Sequence, residues 1–224
     1  MQRKALLCLS AMLLPGVAEA DITATYAAPG GQKVMKIEVA ANGDLRSETS
    51  PGTRVILLRG GASFIIDRHF TPPMVARVDD IATAILELLS KVAPAALEQA
   101  KHAPHRRFVL KGAVTVQGRS GDAYYEQATD GTMSSTPSIV ISHDPVLAPL
   151  GRAIAVQFEQ AEKLSPSGGN AATEAILRSG TPLVLNGLEL QSISDGAIEP
   201  SEFALPAPAE TPEAIRKRLA PPPQ

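Results

Sequence analysis

The sequence predicts an α+β domain dominated by antiparallel strands, and three observations carry that prediction. Apolar residues alternate with polar ones over short runs. Asn-Gly, Gly-Gly and Pro-Gly pairs punctuate those runs. Two longer stretches change to helical spacing in the second and third quarters of the chain. A period of two is the mark of a half-buried strand, and i, i+3, i+4, i+7 spacing is the mark of an amphipathic helix.

The elements follow in order. Residues 21–27 read as a strand, closed by Pro29-Gly30-Gly31. Over residues 33–41, Met35, Ile37 and Val39 share one face, and Lys36 and Glu38 the other. Asn42-Gly43 follows and predicts a type I′ hairpin turn with positive φ at both positions. Residues 45–49, 53–59 and 63–68 read as further strands around Ser50-Pro51-Gly52 and Gly60-Gly61. Pro72-Pro73 breaks the run before a strand at 74–78. Asp79 or Asp80 then caps a helix carrying Ile81, Ile85, Leu88 and Leu89, which Pro94 interrupts and residues 95–100 resume. Residues 107–117 return to strand, with Phe108, Leu110, Val114 and Val116 expected on one face. Strands at 122–127 and 138–142 come next. Asp144-Pro145 reads as a helix start, because aspartate caps free amides and proline at the first helical position lacks only an N–H that has no partner there. Leu147, Leu150, Ile154 and Phe158 line that helix. Asn170 caps a second one, to about Arg178. Asn186-Gly187 closes a final hairpin.

The ends set the organisation. Arg3-Lys4, an apolar run over 5–14 and the small-x-small stop Ala18-Glu19-Ala20 form the pattern of a cleavable signal peptide, with Asp21 as the expected new N-terminus. The run is too short for a bilayer span, so no integral membrane span is expected in the mature chain. Residues 21–206 read as one domain, and 207–224 as a Pro/Ala-rich, loosely packed tail with a short helix over 211–219. Export implies a periplasmic location.

Composition excludes several classes. Cys8 is the only cysteine and lies in the signal, so the mature chain has no disulfide, thiolate metal site or thiol nucleophile. The whole chain carries 21 Lys and Arg against 23 Asp and Glu. Cleavage removes Arg3, Lys4 and Glu19 and leaves it one unit more negative. Duplex nucleic acid is not an expected partner of such a chain. Tryptophan is absent, which disfavours aromatic platforms for sugars or bases.

No catalytic signature emerges. Asp67 and His69 lie two apart on a strand face, but two ligands do not make a metal site. His102 and His105 lie in a proline-broken connector beside Arg106-Arg107. Ser142-His143-Asp144 spells a hydrolase triad, yet consecutive strand residues point to opposite faces and cannot converge. Neither a Gly-x-Ser-x-Gly elbow nor a phosphate loop occurs. The expectation is a non-enzyme with no cofactor and no metal.

Two segments carry a resemblance. One is Asp144-Pro145-Val146-Leu147-Ala148-Pro149-Leu150-Gly151-Arg152. The other runs from Gly180-Thr181-Pro182-Leu183 through Leu188-Glu189-Leu190-Gln191-Ser192-Ile193 to Ile198-Glu199-Pro200 and Phe203-Ala204-Leu205-Pro206. With the element order, they resemble a family of exported bacterial proteins similar to the outer-membrane lipoprotein carrier (LolA-like) half-barrels. The resemblance implies a curved, unclosed antiparallel β-sheet (half-barrel) with helices packed on its concave face. It further implies an acyl chain held between sheet and helices. No residue matches the carrier's gating-arginine motif.

Under that implication Met35, Ile37, Val39, Phe64, Ile66, Met74, Val78, Phe108, Leu110 and Val114 form the candidate lining for an apolar ligand, a lipid or a lipoprotein acyl chain. At about 0.8 kcal/mol per buried CH₂, an enclosed chain contributes on the order of 10 kcal/mol. The same stripe also serves as plain core. In that case the protein is an envelope protein–protein interaction module that uses a sheet edge or its Pro-rich tail.

Overall fold

The computed structural model describes residues 21–31, 33–50 and 52–220; the signal-like segment 1–20 lies outside them. None of the helices among the described residues is long and apolar enough to cross a membrane.

Eleven strands form among the described residues: β1 (Ile22–Ala27), β2 (Val34–Val39), β3 (Leu45–Thr49), β4 (Arg54–Arg59), β5 (Ala62–Asp67), β6 (Met74–Arg77), β7 (Arg107–Val116), β8 (Arg119–Gln127), β9 (Ile139–Ser142), β10 (Thr181–Leu185) and β11 (Leu188–Asp195). They make one curved, unclosed antiparallel sheet in the order β6-β5-β4-β3-β2-β1-β11-β10-β9-β8-β7. The first six strands run outward from β1 as a meander. The last five return from β7 to β11, which pairs with β1 and joins the two halves. The edge strands β6 and β7 are therefore consecutive in the chain. Helices α1 (Val78–Val92) and α2 (Pro94–Lys101) connect them. Helices α3 (Ala148–Glu162) and α4 (Ala171–Arg178) are inserted between β9 and β10, and α5 (Pro212–Leu219) ends the described chain.

Turn chemistry sets the hairpins. Asn186 and Gly187 adopt φ of 51° and 77°, the mirror-image turn that matches strand twist. Asn42-Gly43 differs from expectation, because only Gly43 has positive φ, at 86°. The Gly43 amide donates to the Ala40 carbonyl, and the Asn42 side chain accepts from the Asp44 amide. The loop is thus one turn followed by a left-handed glycine, the longer-hairpin solution.

Register assigns the faces. Ile37, Ser47, Ile56, Ile65 and Ala76 stand in one cross-strand row. Helices cover this face. Helix α3 sets Leu150, Ala153 and Ile154 against Tyr26, Ile37, Val39, Leu45 and Leu58. Ile81 and Ala84 of α1 and Ile215 of α5 pack on Ile65, Met74 and Ala76. Helix α4 packs Leu177 on Ile139 and Ile141. The neighbouring row, Glu38, Arg46, Leu57, Phe64 and Arg77, faces the other way.

That second face is covered by the chain's own end. Asp21 accepts hydrogen bonds from the amides of Ala41 (2.8 Å) and Ile198 (2.7 Å), so the start of β1 holds the start of the tail. The tail then crosses the sheet. Glu202 lies 3.8 Å from Arg46, itself paired with Glu38 and Glu48. Leu205 and Ala209 cover Val55, Ile66 and Val75. The chain next turns around β6 and sends α5 onto the helix-covered face. Ile215 is fully buried. The tail is therefore a strap around one edge of the sheet and not the loosely packed appendage that its composition suggested.

Candidate functional site

The ten candidate lining residues do not form one surface. Met35, Ile37, Val39 and Met74 lie on the helix-covered face, and Val78 opens α1 beside Met74. Ile37 is 1% exposed and Leu150 of the covering helix 0%, so side chains fill the space there. Phe64 and Ile66 stand on the opposite face, where Ile66 meets the strap. The expected row Phe108, Leu110, Val114 is broken by a bulge. Register shifts between Leu110 and Ala113, where Gly112 takes φ of 114°. Leu110 then faces Tyr124 while Val114 faces Gly121, three residues away on β8, so they point to opposite sides. Phe108 packs with Tyr124 and Phe158 beneath α4, and Leu110 is 50% exposed. Val39 walls a groove of about 180 Å³ between α3 and the β2–β4 hairpin ends.

The two sheet edges contrast sharply. The Glu210 amide donates to the Val75 carbonyl at 2.7 Å and occupies the outer side of β6. Arg218 donates to the Pro72 carbonyl at 2.8 Å, pairs with Glu210 at 2.8 Å and stacks over Phe70. Among the described residues, strand β7 has no such cover. It pairs with β8 alone, and most of its residues are exposed, including Val109 and Leu110. The β7–β8 hairpin overhangs the sheet, since only Asp122–Tyr124 of β8 finds partners on β9. A long edge with exposed apolar side chains offers unpaired N–H and C=O groups to another strand.

The same edge concentrates positive charge. Between Glu98 and Asp122 the chain has Lys101, Arg106, Arg107, Lys111 and Arg119 and no acidic residue. Three of these are paired internally: Lys101 with Glu98, Arg106 with Glu126, and Arg119 with Asp144. The hydrogen bond from Arg106 holds the Glu126 carboxyl below its ordinary range, against a smaller opposing effect of burial. Arg107 and Lys111 have no carboxylate partner among the described residues. Lys111 instead lies over the Tyr125 ring, 5.2 Å from its centre. At the start of β7 a cleft of about 520 Å³ is walled by His105, Arg107, Gln127 and Asn170. Composition showed this run of cations as a basic connector. What it lacked was the knowledge that the next strand lies at the sheet's rim.

Other polar groups serve the fold. His143 sits between the Asp122 carboxylate (Nε2, 3.1 Å) and the Ser179 carbonyl (Nδ1, 3.0 Å). The Ser142 hydroxyl accepts from the Asp144 amide, and Asp144 caps Val146. The three consecutive residues thus build a turn. His69 and Arg54 both bind Asp67. No group of three or more His, Cys, Asp or Glu among the described residues is arranged to hold a metal. A second cleft, of about 380 Å³, lies between α3 and α4 and is walled by Ala148, Ala155, Val156 and Leu177, with Arg152, Glu159 and Arg178 among its polar residues. Comparison with protein-family models, curated proteins and solved structures finds no match, so the site is read from its own geometry.

Proposed function

We propose that the exported chain is a non-enzymatic interaction module of the bacterial envelope, which takes an extended segment of a partner protein at β7. One observation carries the reading: the chain straps the β6 edge with its own tail and leaves the longer β7 edge bare. Main-chain groups along such an edge supply affinity, and alternate side chains supply specificity. The secretion pattern of residues 1–20 supports a periplasmic location. A photo-crosslinking residue at Leu110 is expected to yield a protein adduct in the periplasm of cells exporting the chain. The same residue at Leu86, exposed on α1, is expected to yield none. Equal or absent adducts reject the edge, and a cytoplasmic product with residues 1–20 intact rejects the location.

The α3–α4 cleft supports a second reading, carriage of an apolar ligand such as a lipid or acyl chain. The space beneath the helices is filled, so an acyl chain would lie between them, against Ala155, Val156 and Leu177. Uptake of a fluorescent fatty acid, abolished by Ala155→Trp, is the expected signature; no uptake removes it.

A further inference from the structure

We infer that the partner segment at β7 is acidic, with two carboxylates flanking three apolar residues. The inference rests on the edge reading above and deepens it. Arg107 and Val109 share one face of β7 ahead of the bulge, opposite Gln127 and Tyr125 of β8, and Lys111, the first residue of the bulge, reaches over the Tyr125 ring on that same face. A strand added along β7 on its free side meets, in order, Arg107, Phe108, Val109, Leu110 and Lys111. Opposite each of these stands one residue of the guest, with Cβ atoms about 5 Å apart. Facing Arg107 and Lys111, which have no internal carboxylate, an acidic residue gains an ion pair and a basic one is repelled. Facing Val109 and Leu110, and the half-buried Phe108 between Arg107 and Val109, an apolar residue covers side-chain surface that is otherwise open to water. The matching guest therefore reads acid, three apolar residues, acid.

The bulge fixes where this segment ends. Beyond Lys111 the backbone turns at Gly112 and the faces exchange, so a flat partner strand cannot continue in phase. Residues 107–110 in one register, with Lys111 at the mouth of the bulge, are the span that the edge offers. The cleft by His105 and Arg107 lies at the other end and leaves room for further acidic chain.

A second copy of this protein fits the edge poorly. Antiparallel pairing of β7 with itself about Val109 aligns the apolar residues but sets Arg107 against Lys111 at both ends. Like charges placed directly opposite destabilise a strand pair. The acidic segment removes that conflict, and its attraction is local, because the chain as a whole is net negative.

The test uses capped synthetic peptides containing Glu-Val-Val-Val-Glu or Lys-Val-Val-Val-Lys, added to the isotope-labelled protein. The acidic peptide is expected to shift and protect the amides of residues 107–111 and to bind about tenfold more tightly than the basic one, with affinity falling as salt rises. In Arg107→Glu/Lys111→Glu the preference is expected to invert, while Arg107→Lys/Lys111→Arg keeps it. An unchanged melting curve shows that the reversed variant is folded. If both peptides protect β7 equally, or the basic one wins, the acidic partner is rejected and the edge reading stands. If neither protects β7, both fall. Concentration-dependent dimerisation that protects β7 without peptide assigns the edge to a second copy and overturns the inference.

Discussion

The Tyr26 hydroxyl donates to the carbonyl of Pro182 at 2.7 Å, across 156 positions of sequence. Tyr26 is fully buried, and burial pushes its hydroxyl well above the ordinary tyrosine range. Pro182 lies where the β9–β10 register shifts, so its carbonyl stands beside an irregular ladder. The phenol links β1 to β10 past β11. Tyr26→Phe keeps the ring and leaves that buried carbonyl without the donor. A loss of about 1–3 kcal/mol is expected from urea unfolding, with no change in the far-ultraviolet spectrum.

Gly151 lies where α3 packs against the start of β10. A Cβ there would lie 2.5 Å from Thr181 Oγ1 and 2.9 Å from the Gly180 carbonyl oxygen. Thr181 is held in place by its own bond to the Leu147 carbonyl. Helix propensity alone favours Gly151→Ala by about 1 kcal/mol. The clash reverses the sign, and a net loss of about 1–3 kcal/mol is expected. Gly196→Ala, which meets nothing within 4 Å, is expected to change stability by less than about 0.5 kcal/mol. Thermal melts of the two variants check the contrast.

The strap contributes stability and shields an edge. Ile215→Ala opens a cavity among Ile65, Met74 and Ile81 and is expected to cost about 2–5 kcal/mol. Deleting residues 207–224 removes α5 and the Glu210 amide together, uncovering both the apolar floor and the rim of β6. Sedimentation velocity is expected to show self-association of that deletion and a single monomeric boundary for the chain that keeps these residues. Wild-type behaviour of the deletion contradicts the strap.

Acid sensitivity follows from Asp67 and Glu48. Burial pushes the Asp67 carboxyl up, but hydrogen bonds from Arg54 and from the amide and ring of His69 outweigh it and leave it below 3.8. For Glu48, burial is likewise outweighed by Arg68 and Arg46, which leave it below 4.5. A carboxyl depressed in the folded state stabilises fully above its unfolded value, and that contribution is lost as pH falls through the folded one. Unfolding free energy is therefore expected to decline below about pH 4. Asp67→Asn is expected to lower stability at pH 7 and to flatten the decline. Urea titrations at pH 7 and pH 3 measure both.

The order and kind of elements were legible because turns and alternation are local. All eleven strands fall close to the runs that the pattern marks, and the Asn186-Gly187 turn adopts the predicted form. What alternation could not assign was the inward face of β4 and β5. Val55, Leu57 and Leu58 are all buried, because helices cover one side and the strap the other. An apolar run buried on both faces has no parity to read, so spacing alone places Phe64 and Ile66 with Ile37 and Val39, whereas they stand on the opposite face. The break at Gly112 was hidden for a different reason: it is a backbone event that leaves hydrophobic spacing untouched. The rim position of β7 depends on pairings made far along the chain, so the charge of residues 101–119 was visible before its place was.

The stitch between β1 and β11 sets the order in which this chain becomes a protein. Ile22 lies opposite Asp195, so the first strand waits for nearly the last before the middle of the sheet exists. A nascent polypeptide is held short of its final shape until synthesis is almost done. Under the export proposed above, the chain would thread a narrow translocation pore with that pairing still unmade, and the delay is written into the connectivity.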